Sequence, residues 1–382
     1  MRVALVLDQF DPFRGGLAQW AAEFAGYLQQ AHEVQVVTFE EGEHCLPVAV
    51  RVLPPVRGEM ERARQIDAYF ASLAPGVAPD VVHDTGTSWA GDVFHPQTGS
   101  RLHSLNQEVA SFRPLRRVRG TVSPKMVLRR RGMARLEHMQ ATRARRIIAV
   151  SGRIRDMLAA CHGVAPERIR VVPNGVDTIR FAPARTAGLR AGARATLGVG
   201  DVVLFLAAAY NLHLKGIGTA IRATARLVAE GAPVTLAIAG AAADAYWNRL
   251  VAEAGAAEHV RFLGPVADME RLFAAADAFV HPTRWDACSR ATLEAMAAGL
   301  PTITTAVNGA SEIMADGRDG FVLPGAGTVD LLAARMRALL DPQLRQRLGN
   351  AGLETARRHD RRDNFRAVES ILAEAAELRR AR

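Results

Sequence analysis

Residues 281–301 read HPTRWDACSRATLEAMAAGLP, and this stretch decides the fold class. Short apolar runs at residues 278–281 and 301–305 flank a helix-like segment, so the pattern predicts strand, loop, helix and strand. Ser289 suits the N-cap of the helix and Gly299 its end, while Pro301 opens the next strand. The free N–H groups of the first helical turn would then face a ligand beyond the end of a strand.

Two carboxylates belong to this stretch. Glu294 lies about one turn into the predicted helix, and Asp286 lies in the loop before it. Because they come from different elements, we expect both to face one site. The alternative is structural, with Glu294 satisfying a helix terminus and Asp286 an ordinary loop acid.

The same alternation of apolar strand-length runs and helical segments occurs in both halves of the 382-residue chain. It predicts an α/β protein of two doubly wound parallel-sheet domains, since a chain of this length exceeds what one core usually organises. We expect residues 1–175 and 176–360 to form these domains, with a helix in residues 361–382 packing back on the first. Residues 183–200, rich in Gly, Ala and Arg, are expected to hold the interdomain link.

In each half, one further motif follows the first strand, at the carboxyl end of the strand where parallel sheets bind ligands. In residues 211–216, Lys215 supplies a cation that would neutralise a diphosphate, the alternative being a surface lysine. In residues 11–16, Gly15 and Gly16 let backbone N–H groups approach an anion, although the pair also suits a plain strand-to-helix turn. This loop is not G-x-G-x-x-G, so a nicotinamide cofactor lacks its usual fingerprint.

Composition excludes several classes of protein. Hydrophobic residues make up 49% and charged residues 23% of the chain, as in globular proteins. No apolar run approaches the roughly 20 residues that span a bilayer, and residues 1–7 resemble a buried strand rather than a signal peptide, so we expect a cytoplasmic protein. Three widely spaced cysteines predict neither a disulfide framework nor a zinc site.

The whole chain has a net charge of +9, and basic residues are concentrated in the segment 112–146. Apolar residues alternate with them, which predicts an amphipathic helix on an anionic membrane surface. A solvated helix face is the alternative. Nucleic acid is a third candidate, but no binding motif accompanies the charge, so we expect no nucleic-acid partner. The basic residues are Arg113, Arg116, Arg117, Arg119, Lys125, Arg129, Arg130, Arg131, Arg135, Arg143, Arg145 and Arg146.

Taken in order, these motifs resemble glycosyltransferase family 4, and within it the bacterial lipopolysaccharide core glucosyltransferases that act on inner-core heptose. The resemblance covers nearly the whole chain and is carried by residues 12–17, 123–125, 136–137, 150–151, 172–177, 214–216, 260–264 and 286–301. It implies a GT-B fold, in which two Rossmann-like domains face a cleft. It also implies retaining transfer of a hexose to a saccharide or lipid-linked acceptor, with UDP-glucose the expected donor and no cofactor or essential metal.

The resemblance also assigns roles to residues. Lys215 would hold the diphosphate, Asp286 would contact the transferred sugar and Glu294 would bind the ribose. His95 is the expected catalytic residue of the first domain, with Gln97 and Thr98 as alternatives and a purely structural role for His95 also open. The remaining donor-binding residues would be Gly15, Gly16, Asn211, Phe262, Leu263, Cys288, Ser289, Arg290 and Ala291.

Two departures from the family pattern leave details open. The family's Glu-x7-Glu motif starts here with Asp286, whose shorter reach leaves the donor sugar undecided. An arginine that commonly accompanies the lysine is absent, and Arg14 and Arg284 are candidate replacements. The sequence is therefore also compatible with a family 4 enzyme of capsule, exopolysaccharide or glycolipid assembly, or with an inactive scaffold that binds nucleotide sugars.

Overall fold

The computed structural model describes residues 1–13, 15–112, 118, 121–182 and 187–381. The chain divides into two compact units, the first comprising Met1–Val109, Arg113–Pro173 and Arg362–Arg382, and the second Ala110–Phe112 and Asn174–Arg361. Arg14 and several arginines of the basic segment, Arg113, Arg116, Arg117 and Arg119, lie outside the described residues.

The first unit is built on a parallel sheet. Its strands and those of a small accessory pair are β1 Arg2–Val6, β2 Gln9–Phe10, β3 Glu33–Thr38, β4 Glu40–Glu41, β5 Ala49–Val52, β6 Val81–Asp84, β7 Val93–Phe94, β8 Arg146–Ala149 and β9 Ile169–Val171. In the described residues the main sheet has the order β5-β3-β1-β6-β7-β8-β9, and β2 pairs with β4. The helices are α1 Gly16–Leu28, α2 Glu59–Ala71, α3 Arg101–Ala110, α4 Pro124–Arg143 and α5 Gly152–His162.

Strand β1 shows why helices cover both faces of this sheet. Val3 and Leu5 pack into one apolar cluster with Trp20 of α1, whereas Ala4 and Val6 pack into another on the opposite face. Successive side chains of a strand point to opposite faces, so a strand in which residues 3–6 are all apolar needs cover on both sides.

The second unit repeats this plan. Its strands are β10 Val203–Ala209, β11 Val234–Gly240, β12 Val260–Gly264, β13 Ala278–His281, β14 Thr302–Thr305 and β15 Phe321–Leu323. Its helices are α6 Ala187–Leu197, α7 Ile217–Ala229, α8 Ala245–Glu253, α9 Met269–Ala275, α10 Arg290–Ala297, α11 Val329–Ala338 and α12 Pro342–Arg357, and α13 Arg361–Arg380 follows them. Short 3-10 turns occur at Pro166–Arg168 in the first unit and at Gly309–Ile313 in the second.

The described strands of the second sheet have the order β12-β11-β10-β13-β14-β15, with every pairing parallel. From β10 the chain first builds outward to β12 and then returns to place β13 on the other side of β10. The strand order therefore reverses between β10 and β13, which is where such sheets bind ligands. The predicted fold class of two doubly wound parallel sheets is confirmed.

The predicted link at residues 183–200 is wrong where the structure describes it, because residues 187–197 form helix α6 of the second unit. Arg190 and Arg194 donate to carbonyls at the end of helix α9, and both pair with Asp277. Cations suit the carbonyl end of a helix. The arginines that resembled a polar linker therefore bind α6 to α9.

Helix α13 follows the second unit in sequence and packs in the first. Phe365 and Val368 join the apolar cluster that contains Trp20 and Phe24. The indole N–H of Trp20 donates to Asn364 at 3.3 Å. This helix thereby covers the face of the first sheet that α1 also covers.

The basic segment forms helix α4 with one face buried. Met133, Leu136, Glu137, Gln140 and Ala141 are buried, with Leu136 packed against Ala63 and Trp89. This helical stripe of residues 133–141 faces the protein, so only the remaining faces of the helix could contact a membrane, and membrane association stays a prediction. The apolar residues exposed nearby are Val118, Val122 and Leu128. Among the described helices, none is both long and apolar enough to cross a membrane.

Candidate functional site

Two of the predicted site loops meet at the carboxyl ends of β10 and β13. The carbonyl of Leu214 accepts from the backbone N–H of Arg284 at 2.8 Å and from the Thr283 hydroxyl at 3.2 Å. Gly216 has φ +69°, and a Cβ at this position would overlap the Pro282 carbonyl. A left-handed backbone and this close approach both require glycine, so Gly216 lets the two loops pack against each other.

The structure brings Lys215 and Asp286 into direct contact. The Lys215 Nζ lies 2.5 Å from the Asp286 Oδ2, and the side chains are 22% and 15% exposed. Asn211 shapes the lysine loop, since its Oδ1 accepts from the Leu214 N–H and its carbonyl from the Lys215 N–H, both at 3.0 Å. The donor-binding role of Asn211 stays a prediction.

His281 is a member of this cluster for which the sequence suggested no role. Its Nε2 lies 3.1 Å from the same Asp286 Oδ2 that Lys215 contacts. The sequence could have pointed to His281 by its position, because it is the last residue of a buried strand and directly precedes the loop that contains Asp286.

The charges of this cluster shift the pKa values of its members. Burial alone would raise the pKa of Asp286, but the Lys215 charge and the His281 hydrogen bond outweigh it and hold that pKa well below its usual range. Burial, reinforced by Lys215 and opposed by Asp286, lowers the pKa of His281. At neutral pH the cluster is therefore a lysine–aspartate ion pair with a neutral imidazole, whose Nε2–H donates to Oδ2.

The start of helix α10 is fixed by Asn308, which is fully buried. Its Oδ1 accepts from the Ser289 N–H at 3.0 Å, and its Nδ2 donates to the hydroxyls of Thr292 and Thr304. Ser289 caps the helix as predicted, because its Oγ accepts from the Thr292 N–H at 3.2 Å. The Ser289 N–H is thus bonded within the protein, and the donor-binding role of Ser289 stays a prediction.

Cys288 precedes the cap and is buried. Its carbonyl accepts from the Asn174 Nδ2 at 2.8 Å, and burial raises the pKa of its thiol to about 12, so it is protonated at neutral pH. Ala291 and Arg290 lie in the first turn of α10, and the Arg290 Nε is 3.8 Å from the Glu294 Oε1 one turn later. The Glu294 side chain is 14% exposed and lies on the helix that follows the Asp286 loop.

Phe262 and Leu263 lie on β12, partly exposed, with β11 and β10 between them and β13. They belong to the same unit as Lys215 and Asp286, but to the edge of its sheet. Their proximity to the nucleotide base stays a prediction.

The site residues predicted for the first domain lie in the first unit. Gly15 precedes α1 with φ +105° and open space around its Cβ position, and Gly16 is exposed. His95 has no exposed surface. Its ring stacks on His83 with centroids 5.3 Å apart and meets Trp20 edge-on at 5.1 Å. Burial holds the pKa of His95 well below its usual value, and its catalytic role stays a prediction.

Two family models match this chain and together span most of it. Residues 14–180 match the model of Glycosyltransferase Family 4, and residues 200–342 match the model of Glycosyl transferases group 1. The chain belongs to glycosyltransferase family 4.

Curated relatives of this family 4 chain include the D-inositol 3-phosphate glycosyltransferase of Actinosynnema mirum. It is 32% identical over 260 residues, covering 64% of this chain and 60% of that protein. The chain spans about half to three-fifths of the length of the first such relatives. A GDP-mannose-dependent α-(1-6)-phosphatidylinositol monomannoside mannosyltransferase of Mycobacterium tuberculosis is 28% identical, covering 92% of this chain and 93% of that protein.

A solved structure shows the fold of this family 4 chain. WaaG, a glycosyltransferase involved in lipopolysaccharide biosynthesis, superimposes with a TM-score of 0.82 at 23% identity, covering 97% of this chain and 99% of WaaG. The two parallel-sheet units therefore have the GT-B fold that the sequence predicted.

Proposed function

We propose that this chain transfers glucose from UDP-glucose, with retention of anomeric configuration, to a lipopolysaccharide core or a related lipid-linked saccharide. The observation that carries the proposal is the contact of Lys215 with Asp286 where the strand order of the second sheet reverses. A cation and a carboxylate at that place suit a ligand that contains both a diphosphate and a sugar.

The chemistry follows from what each group offers. In a retaining transfer without an enzyme nucleophile, the diphosphate leaves from the face that the acceptor hydroxyl approaches, so stabilising the leaving group is the main task. The Lys215 ammonium and the N-terminal turn of α10 would stabilise the negative charge of the leaving diphosphate. Asp286 would accept from a sugar hydroxyl and Glu294 from the ribose. Because Lys215 supplies the positive charge, we expect transfer to persist in EDTA.

A second candidate is transfer to an inositol-containing acceptor. It is favoured by the curated relatives, whose names specify D-inositol 3-phosphate or phosphatidylinositol monomannoside as acceptors and, in one case, GDP-mannose as donor. UDP-glucose and a heptose acceptor rest instead on the sequence resemblance. Capsule, exopolysaccharide and other glycolipid acceptors remain alternatives of the same reaction type.

A donor and acceptor matrix tests these proposals. UDP-glucose, UDP-galactose and GDP-mannose are each incubated with a deacylated inner-core saccharide and with inositol 3-phosphate, and the products are identified by mass spectrometry and NMR. We expect glucosylated core saccharide, α-linked as in the donor. A product only with GDP-mannose and inositol phosphate would replace the first proposal by the second.

The same assay excludes an inactive scaffold if wild-type protein hydrolyses or transfers the donor while Lys215→Ala and Glu294→Ala do not. Lys125→Ala is the matched control, since Lys125 is exposed and is the only other lysine of the chain. We expect it to retain donor turnover. Binding of nucleotide sugar without turnover in any combination would instead support the scaffold.

We also propose that the protein is cytoplasmic and attaches peripherally to an anionic membrane through the exposed part of the basic segment. Leu128 is 68% exposed, and exposed Lys125, Arg129 and Arg131 surround it on α4. Apolar insertion together with several cations is the combination that holds a helix at a lipid surface.

Vesicle sedimentation tests this attachment. Binding to vesicles with anionic lipid should weaken as salt rises from about 0.05 to 0.5 M, because the charges are screened. Leu128→Asp should weaken it further. Arg357→Glu, an exposed change on α12, is the control and should leave binding unaltered. Salt-independent binding would contradict the proposal.

A further inference from the structure

His281 is held rigidly at the end of β13. Its ring is 3% exposed and stacks on Phe279 with centroids 6.0 Å apart. Its carbonyl accepts from the Thr304 hydroxyl at 3.1 Å and from the Thr283 N–H at 2.8 Å. Because backbone and ring are both fixed, the direction of the Nε2–H is fixed as well.

His281 and Lys215 share one oxygen of Asp286. The Lys215 Nζ lies 2.5 Å and the His281 Nε2 3.1 Å from Oδ2. The backbone of Asp286 is held separately, since its carbonyl accepts from the Gly309 N–H at 2.9 Å. The carboxylate therefore has one partner that is flexible and charged and one that is rigid and neutral.

These two partners would respond differently to an incoming diphosphate. An ammonium on a flexible four-carbon stem can turn toward phosphate oxygens, and the attraction is stronger there because a diphosphate carries more negative charge than one carboxylate. A neutral imidazole locked in a strand cannot follow it. Once Lys215 turned away, the His281 Nε2–H would be the remaining side-chain hydrogen bond to Asp286 among those described.

We infer that His281 is a positioning residue that holds the Asp286 carboxylate in place while Lys215 binds the donor diphosphate. Asp286 would then be presented to the transferred sugar in one orientation. The inference deepens the proposed function and rests on it, because it presumes a nucleoside diphosphate sugar as ligand. It predicts that loss of His281 affects turnover more than donor affinity.

The kinetic test uses His281→Phe, which keeps an aromatic ring without the N–H, and His281→Gln, which restores a donor. With the active donor identified above, His281→Phe should lower kcat by roughly tenfold, the value of a lost hydrogen bond to a charged group, with KM changed less than about twofold. His281→Gln should recover most of kcat. In an Asp286→Asn background, His281→Phe should add little.

Phe279→Leu is the matched control, because it disturbs the stacking beneath His281 without touching Asp286. It should lower thermal stability but leave kcat within about twofold of wild type. An equal loss of kcat in Phe279→Leu and His281→Phe would overturn the inference. So would a loss that is as large in the Asp286→Asn background as in the wild type.

A measurement without ligand separates this inference from the proposed function. In histidine-labelled protein, NMR should show His281 as the neutral Nε2–H tautomer, and Asp286→Asn should shift its ring signals more than those of His95. If those signals do not move, the inference fails whatever the activity. If they move but no nucleotide sugar supports transfer, the proposed function fails and the His281–Asp286 contact stands.

Discussion

Replacing Lys215 by methionine removes the charge and shortens the unbranched side chain by one atom, and it should destabilise the ligand-free protein through Asp286. Breaking a fully buried ion pair costs roughly 3–5 kcal/mol. Here the two side chains are 22% and 15% exposed. We therefore expect a loss of about 2 kcal/mol at pH 7, or about 4–8 °C in Tm for a unit of this size.

The pH dependence of this loss has a definite sign. In the wild type the pKa of Asp286 is depressed, so the pair stabilises the fold above the carboxyl's ordinary pKa and that stabilisation is lost as pH falls through the depressed value. Without Lys215, burial raises that pKa, so the charged carboxylate opposes folding until acid neutralises it. The gap between Lys215→Met and wild type should be widest near neutral pH and narrow toward about pH 4.

Scanning calorimetry of ligand-free protein at a series of pH values measures both effects. The double variant Lys215→Met, Asp286→Asn should recover most of the lost Tm, because no buried charge is then left unpaired. Lys125→Met is the control and should change Tm by less than about 1 °C, as exposed substitutions do. A Tm loss that Asp286→Asn does not relieve would refute the reasoning.

Three further changes test the packing of the second unit and of helix α4. Gly216→Ala should lower the free energy of unfolding in urea by about 2 kcal/mol or more, because the added Cβ would meet the Pro282 carbonyl at a positive φ. Gly192→Ala is the control, since Gly192 lies in mid-helix with open space around its Cβ position, and it should be neutral or stabilising by up to about 1 kcal/mol. Asn308→Ala should cost about 2–4 kcal/mol, measured in the same way, because buried groups at the start of α10 lose their partners. Leu136→Ala should lower the free energy of unfolding by about 3 kcal/mol, because Leu136 is 2% exposed. Leu128→Ala, on the same helix at a residue that is 68% exposed, should lower it by less than about 0.5 kcal/mol. Equal losses would contradict the burial of residues 133–141.

The strand, loop and helix around Asp286 could be predicted because their signals are local. A buried apolar run predicted β13, the hydroxyl of Ser289 predicted the N-cap, and Gly299 predicted the end of α10. Strand alternation in both halves predicted the class of fold for the same reason. Parallel pairing then placed the loops after β10 and β13 at one edge of a sheet, so the meeting of Lys215 and Asp286 follows from topology.

The parts that could not be predicted depend on contacts distant in sequence. Asn308 reaches Ser289 from the loop after β14, and Asn174 reaches Cys288 from far earlier in the chain.

The same amino-acid composition is also compatible with more than one structure. Arginine and alanine suit a polar linker and a helix alike, so only the carbonyls at the end of α9 reveal that residues 187–197 are a helix of the second unit.

The contacts of residue 286 explain why it can be aspartate rather than the glutamate usual in the family. The Asp286 backbone is bonded on both sides, its N–H to Val307 and its carbonyl to the Gly309 N–H, and its carboxylate meets Lys215 and His281 at one oxygen. A glutamate on the same backbone would carry its carboxylate one methylene farther and would have to fold back to keep both contacts. Aspartate therefore suits a carboxylate that is bonded within the protein. Under the proposed function, a donor sugar would approach this loop more closely than it would approach a glutamate, so the sugar preference should depend on the Lys215–Asp286–His281 cluster as a whole.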